Sequence, residues 1–109
     1  MKICFCAQGN SKEDALSPVF GRCPFFQIYD EESQTYTVME NTAKQESHGA
    51  GISAAQSLLD AKVDVLLTNA LGPKAKQVLD TSEIKVYKQA GESVEDALTL
   101  FHEDKLELL

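Results

Sequence analysis

Apolar residues follow two rhythms along this chain, and the switches between them mark out its elements. Residues 2–8 (Lys-Ile-Cys-Phe-Cys-Ala-Gln) are an apolar run that stops at Gly9-Asn10, the pattern of a strand covered on both faces. Alternation sends Ile3, Phe5 and Ala7 to one face and Cys4, Cys6 and Gln8 to the other. Phe25 to Asp30 and Thr35 to Glu40 are aromatic and β-branched runs on either side of Glu31-Glu32-Ser33-Gln34. That arrangement predicts an antiparallel hairpin with a four-residue loop. Ile52, Ala55 and Leu59 recur at helical spacing with Ala54 and Leu58 beside them, predicting a helix from about Gly51 to Ala61. Val63 to Thr68 reads as a buried strand. Gly72-Pro73 then starts a helix with proline in its first position and Ala75, Val78 and Leu79 turned inward. Ile84 to Tyr87 is another strand. Ser93 followed by Asp96 resembles a capping box with a shortened carboxylate, ahead of a last helix whose apolar stripe is Val94, Ala97, Leu98 and Phe101.

The order strand, hairpin, helix, strand, helix, strand, helix implies right-handed parallel crossovers in the second half joined to an antiparallel pair from the first. The product is an α/β fold, a mixed five-stranded sheet flanked by helices. Ligands of such open sheets bind beyond the carboxyl ends of the parallel strands, where loops diverge and helix N-termini converge. Four segments are expected there: the loop after Gln8, the turn Asn69 to Pro73, the turn Gln89 to Ser93, and the helix start at His48 to Gly51. Residues 9–23 lack periodicity and read as a long functional loop.

Composition narrows the function classes. A chain of 109 residues matches one domain, spanning 1–109, and can bury a core without disulfides or metal. With 10 basic against 17 acidic residues the net charge is -7, and no basic stripe appears, so nucleic acid is disfavoured as a partner. No apolar run reaches the roughly 18 residues of a membrane helix, and the N-terminus is too short for a signal peptide. The expectation is a soluble cytoplasmic protein without a membrane partner. Three cysteines at 4, 6 and 23 do not make a disulfide framework and leave free thiols or a metal site.

Three places could carry chemistry. Ser47-His48-Gly49-Ala50-Gly51 puts an imidazole just before a helix start whose glycines let amides approach a ligand. Unpaired amides and the helix dipole favour an anion, neutral imidazole ligates metals, and an anionic metal-sulfide cluster would satisfy both. The alternative is a loop whose glycines serve backbone geometry alone. Arg22 is the only arginine; it could clamp an anion or pair with a carboxylate such as Asp30. Cys23 could face the same site, since thiolates suit soft metal-sulfide chemistry. Cys4 and Cys6 lie about 7 Å apart on one strand face, given roughly 3.3 Å per residue, and read better as core packing than as ligands. A zinc site from Cys4, Cys6, Cys23 and His48 lacks the paired spacing of structural zinc modules. His102 reads as a solvated or capping residue, and Asp64 points away from the proposed edge with no second carboxylate for two-metal hydrolysis. The acidic run from Glu92 to Glu107 reads as a solvated face that could steer a basic partner.

Three segments together carry a resemblance. Ser17-Pro18-Val19-Phe20-Gly21-Arg22-Cys23-Pro24-Phe25-Phe26, Ser47-His48-Gly49-Ala50-Gly51 and Gly72-Pro73-Lys74-Ala75, in this order and separation, resemble the dinitrogenase iron-molybdenum cofactor biosynthesis family. The resemblance implies a ribonuclease H-like three-layer α/β/α fold with strand order 3-2-1-4-5 and strand 2 antiparallel. It implies a carrier of iron-sulfur or molybdenum-sulfur clusters rather than an enzyme, exchanging cargo with cluster donor and acceptor proteins during metallocofactor assembly. Transferred to this sequence, Phe20, Gly21, Arg22, Gly49, Gly51 and Gly72 would line the cofactor pocket, with His48 and Cys23 as metal ligands. Asn69 stands where the family often has glycine. The competing expectation is a metal-free adaptor that binds a protein through its acidic helix and hairpin. A monomer or weak homodimer is expected, the latter through the edge strand Thr35 to Glu40.

Overall fold

A computed structural model describes residues 1–41 and 50–109, the side chain of Ala50 excepted. The elements in chain order are β1 (Lys2–Ala7), β2 (Phe25–Asp30), β3 (Thr35–Glu40), α1 (Ala50–Asp60), β4 (Val65–Thr68), α2 (Pro73–Asp80), β5 (Lys85–Lys88) and α3 (Val94–His102). The sheet order is β3-β2-β1-β4-β5. β2 runs antiparallel to both of its neighbours, whereas β1, β4 and β5 are mutually parallel. This is the mixed α/β sheet expected from the element pattern and from the family resemblance.

Alternation along β1 divides the core in two. Ile3, Phe5 and Ala7 join Val65, Leu67, Val94, Ala97 and Leu98 beneath α3. Cys4 and Cys6 join Phe26, Ile28, Leu66 and the inward faces of α1 and α2, namely Ala54, Ala55, Leu58, Ala75 and Leu79. Helices therefore cover both faces, α1 and α2 on one and α3 on the other. Every residue from Ile3 to Ala7 is fully buried, as a central strand in a three-layer sandwich requires. Gly51 shows how closely the paired helices sit, because a Cβ there would lie 3.2 Å from the Ala75 Cβ.

Element ends depart from the sequence reading for local reasons. Val63 and Asp64 precede β4 rather than belonging to it. The Val63 amide bonds Leu58 O at the end of α1, and the Asp64 carboxylate accepts from Lys2 N at 2.8 Å. Lys62, at φ 60°, makes the left-handed turn that closes the helix. The cap of α3 is half the expected box. Ser93 Oγ accepts from Asp96 N at 3.1 Å, but the Asp96 carboxylate reaches Glu92 N at 3.4 Å. After α3 the chain doubles back along β5: Lys88 N bonds Glu107 O and Leu109 N bonds Val86 O, covering that sheet edge.

The segment at 9–23 is a built structure held by polar contacts. Asp14 Oδ2 accepts from Ser11 N at 2.9 Å, and a Cβ on Gly9 would collide with that carboxylate. The buried Gln27 side chain donates to Gly9 O at 2.9 Å and to Ser11 O at 2.7 Å. Ser17 N bonds Cys6 O, and Leu16 bridges to Ala7.

Candidate functional site

The carboxyl edge of the sheet gathers the described parts of the expected segments. β1 ends at Ala7, which pairs with Phe25 at the start of β2, so the Phe20–Pro24 segment arrives at that edge. β4 ends at Thr68, whose carbonyl accepts from Gln89 N at 2.8 Å, and the Gln89 side chain donates to Ser17 O at 3.0 Å. The loop after β1 and the turn after β5 are thus tied together. The Gly51–Ala75 approach sets the first turns of α1 and α2 side by side at the same edge.

The three helix starts differ in how their free amides are used. At α3, Val94 N bonds Asp14 O and Glu95 N bonds Lys12 O, Ser93 caps Asp96, and Glu95 and Asp96 supply negative charge in the first turn. That terminus is satisfied by the chain itself. α2 has Gly72 at its N-cap with no side-chain cap bond, Pro73 at its start, and no acidic residue in its first turn. A Cβ added at Gly72 would meet nothing within 4 Å, so its approach is open. α1 likewise has no acidic residue in its first turn. In a chain with net charge -7, the positive ends of α1 and α2 lack an internal counter-charge from their own first turns.

The Phe20–Cys23 segment lies at this edge with Phe20, Gly21 and Cys23 buried and Arg22 exposed. Phe20 is buried, its ring 5.8 Å from that of Phe26, so it anchors the segment from below. Gly21 sits at φ 90°, a conformation that glycine adopts without strain. Arg22 is exposed, and its amide donates to Val19 O at 3.3 Å. Pairing of Arg22 with Asp30 is ruled out by register. Asp30 pairs with Lys2 at the far end of β2, a strand's length from this edge.

Asn41, just past β3, clamps the segment and was not singled out from sequence. It is 3% exposed. Its Nδ2 donates to Gly21 O at 3.0 Å and Cys23 O at 2.9 Å, and lies 3.9 Å from Cys23 Sγ. An isolated asparagine directly after a strand was the available signal.

Cys23 turns inward. Its thiol is fully buried in the core shared with Cys4 and Cys6. The neighbouring Cys6 side chain is the main reason that the Cys23 thiol ionises more readily than usual, and Cys23 the main reason that Cys6 does so less readily. Burial adds to the rise at Cys6 and dominates at Cys4, holding that thiol well above the ordinary range. Thr68 Oγ1 lies 3.8 Å from Cys6 Sγ. Cys4 and Cys6 are core residues, as alternation implied. Among the described residues no three His, Cys, Asp or Glu side chains gather to hold a metal ion. His48 and Gly49 lie outside the described residues. Among those described, no helix is long and apolar enough to cross a membrane.

Comparison with known proteins gives consistent matches. The family model described as dinitrogenase iron-molybdenum cofactor matches residues 1–104. An uncharacterized protein of Methanocaldococcus jannaschii is 37% identical over 95 residues, covering 84% of this chain and 80% of its own. The apo form of the orange protein from Desulfovibrio gigas superimposes with a TM-score of 0.93 at 34% identity, over 99% of this chain and 92% of that one. A putative NifB protein from Thermotoga gives a TM-score of 0.88 at 33% identity, with the same two coverages.

Proposed function

Since this chain belongs to the dinitrogenase iron-molybdenum cofactor family, and so is related to proteins of cofactor biosynthesis, we propose that it binds and delivers an anionic metal-sulfide cluster at the carboxyl edge of its sheet. The cluster, of iron-sulfur or molybdenum-sulfur type, is cargo passed between donor and acceptor proteins. One observation carries this reading: the adjacent N-termini of α1 and α2 have no acidic residue in their first turns, whereas that of α3 carries Glu95 and Asp96 and is capped by its own chain. Anions at helix N-termini gain roughly 0.3–1 kcal/mol each when exposed and up to about 2 when partly buried.

In this reading Arg22 supplies the fixed charge, Gly72 keeps the approach to α2 open, and Gly51 permits the two helix starts to lie together. Phe20 and Gly21 give the Arg22 segment its shape. Amides and a guanidinium recognise a whole anion rather than chelate a bare ion. The resemblance assigns His48 as the metal ligand, with Gly49 supplying an amide. Cys23, fully buried, serves as a second ligand only where it turns out of the core.

Anaerobic reconstitution with an iron or molybdenum sulfide source tests the proposal. Metal and sulfide retained through desalting, with visible absorption that falls in His48→Ala, is the expected result. Retention no greater than that of an unrelated acidic protein overturns it.

A further inference from the structure

We propose that β3 is a dimer edge, pairing antiparallel with β3 of a second copy about a two-fold axis at Val38, so that the two sheets join into one. The outer strands of the sheet are treated differently. β5 is covered, because Lys88 N bonds Glu107 O and Leu109 N bonds Val86 O. β3 has β2 on one side and, among the described residues, no strand on the other. It also lacks the features by which edge strands resist pairing. Its ladder with β2 is one-to-one from Thr35 to Glu40, without a bulge, and Thr35-Tyr36-Thr37-Val38-Met39-Glu40 has no proline or lysine. Val38, at its middle, is 40% exposed.

Residue parity decides which backbone groups this edge offers. In an antiparallel ladder, hydrogen-bonded pairs alternate with unbonded ones. Asn41 N bonds Pro24 O, and the register continues as Phe26↔Met39, Ile28↔Thr37 and Asp30↔Thr35. Odd-numbered residues of β3 therefore bond β2, and Tyr36, Val38 and Glu40 turn their amides and carbonyls outward. Glu31 N bonding Met1 O fits the same phase, in which the odd-numbered residues of β2 face β1. Only one antiparallel register of two such strands uses all three outward residues of both: Val38 opposite the partner's Val38, and Tyr36 opposite the partner's Glu40, each pair exchanging two bonds. The side chains suit it. The exposed valines meet each other, and on the other face Thr37 falls beside the partner's Met39, next to a groove of about 540 Å³ lined by Thr37, Met39 and Ala61. Glu40, the strand's only charge, faces the neutral Tyr36. The two glutamates stand four residues apart, roughly 13 Å at about 3.3 Å per residue, beyond the screening length of about 8 Å at physiological salt. A two-fold interface requires this self-complementarity, which favours a second copy over a foreign strand. The two carboxyl edges then point in opposite directions, and the inference does not rest on the cluster reading.

Sedimentation equilibrium of the reduced wild-type chain tests this from micromolar to millimolar concentration, in moderate salt that screens the repulsion between two chains of net charge -7. The expected result is a reversible monomer-dimer equilibrium whose upper mass is twice 12.0 kDa. Amide hydrogen exchange followed by NMR at both ends of that range locates the contact. Tyr36, Val38 and Glu40 should exchange more slowly at the higher concentration, whereas Thr37 and Met39, already bonded to β2, should change no more than β1 does. Val38→Lys sets two ammonium groups opposite each other and should stay monomeric throughout. A wild-type chain that remains monomeric, larger assemblies, slowing at other amides in place of these three, or dimers that persist in a folded Val38→Lys overturns the proposal. Exchange in the wild-type chain decides the matter even where the variant fails to fold.

Discussion

Replacing Asn41 with alanine removes the clamp between the end of β3 and the Phe20–Cys23 segment, and its cost follows from the geometry. Two hydrogen bonds, at 3.0 and 2.9 Å, are lost to the carbonyls of Gly21 and Cys23, both buried. A buried hydrogen bond contributes about 0.5–1.5 kcal/mol net, rising to roughly 1–3 where the partner is left unsatisfied. A carbonyl that can turn toward water recovers part of that, so the expected loss is about 2–4 kcal/mol. With a urea m-value of about 2 kcal/mol/M, the middle of the range for small domains, the unfolding midpoint falls by roughly 1–2 M. Asn41→Asp is expected to be at least as damaging, because a carboxylate faces the two carbonyls where a donor stood. Urea unfolding followed by circular dichroism, with wild type and both variants under reducing conditions, provides the assay. A loss below about 0.5 kcal/mol in Asn41→Ala would refute the view that this side chain holds the segment in place.

Two further perturbations act away from that clamp. Ser93→Ala deletes the one side-chain cap of α3, a bond of 3.1 Å to Asp96 N, and should cost about 1 kcal/mol, read as a lower thermal midpoint; no change would mean that the backbone bonds from the 9–23 segment suffice. The buried thiols set an alkaline limit. Unfolded cysteines ionise above roughly pH 8.5, while burial keeps Cys4 protonated in the fold and the neighbouring Cys23, with burial, does the same for Cys6. The unfolded state then binds fewer protons, so this stabilisation is complete below the ordinary thiol range and declines as pH rises through the raised values. Cys23, shifted the other way, opposes only one of the two. Urea midpoints measured anaerobically from neutral to alkaline pH should fall, and less steeply in Cys4→Ala; equal slopes would contradict the assignment.

Periodicity made the sandwich legible and polar contacts stayed hidden. Alternation alone assigned Ile3, Phe5 and Ala7 to one core and Cys4 and Cys6 to the other, because a central strand leaves its side chains no third option. The same logic failed at Val63, Asp64 and Ile84, which precede their ladders: Leu58 O at the end of α1 takes the Val63 amide and Ser82 Oγ takes that of Ile84. Residues 9–23 read as an open loop because their order comes from Asp14, Gln27 and Ser17 bonding distant backbone, and such pairs leave no period in a sequence. For the same reason Cys23 had no readable direction and Asn41 no visible role, its partners lying 18 and 20 residues away. Glycine had two meanings at the site. Gly51 serves close helix packing and Gly72 an open helix start, and the letter G does not distinguish them.

Equilibrium dialysis of a thiomolybdate anion against the reduced protein, at low and moderate salt, tests the anion-binding edge most directly. A charge-assisted bond is worth about 1.5 kcal/mol or more, so Arg22→Gln should weaken binding by about tenfold, and wild-type affinity should drop as salt rises. Binding that is identical in Arg22→Gln and indifferent to salt would contradict the account.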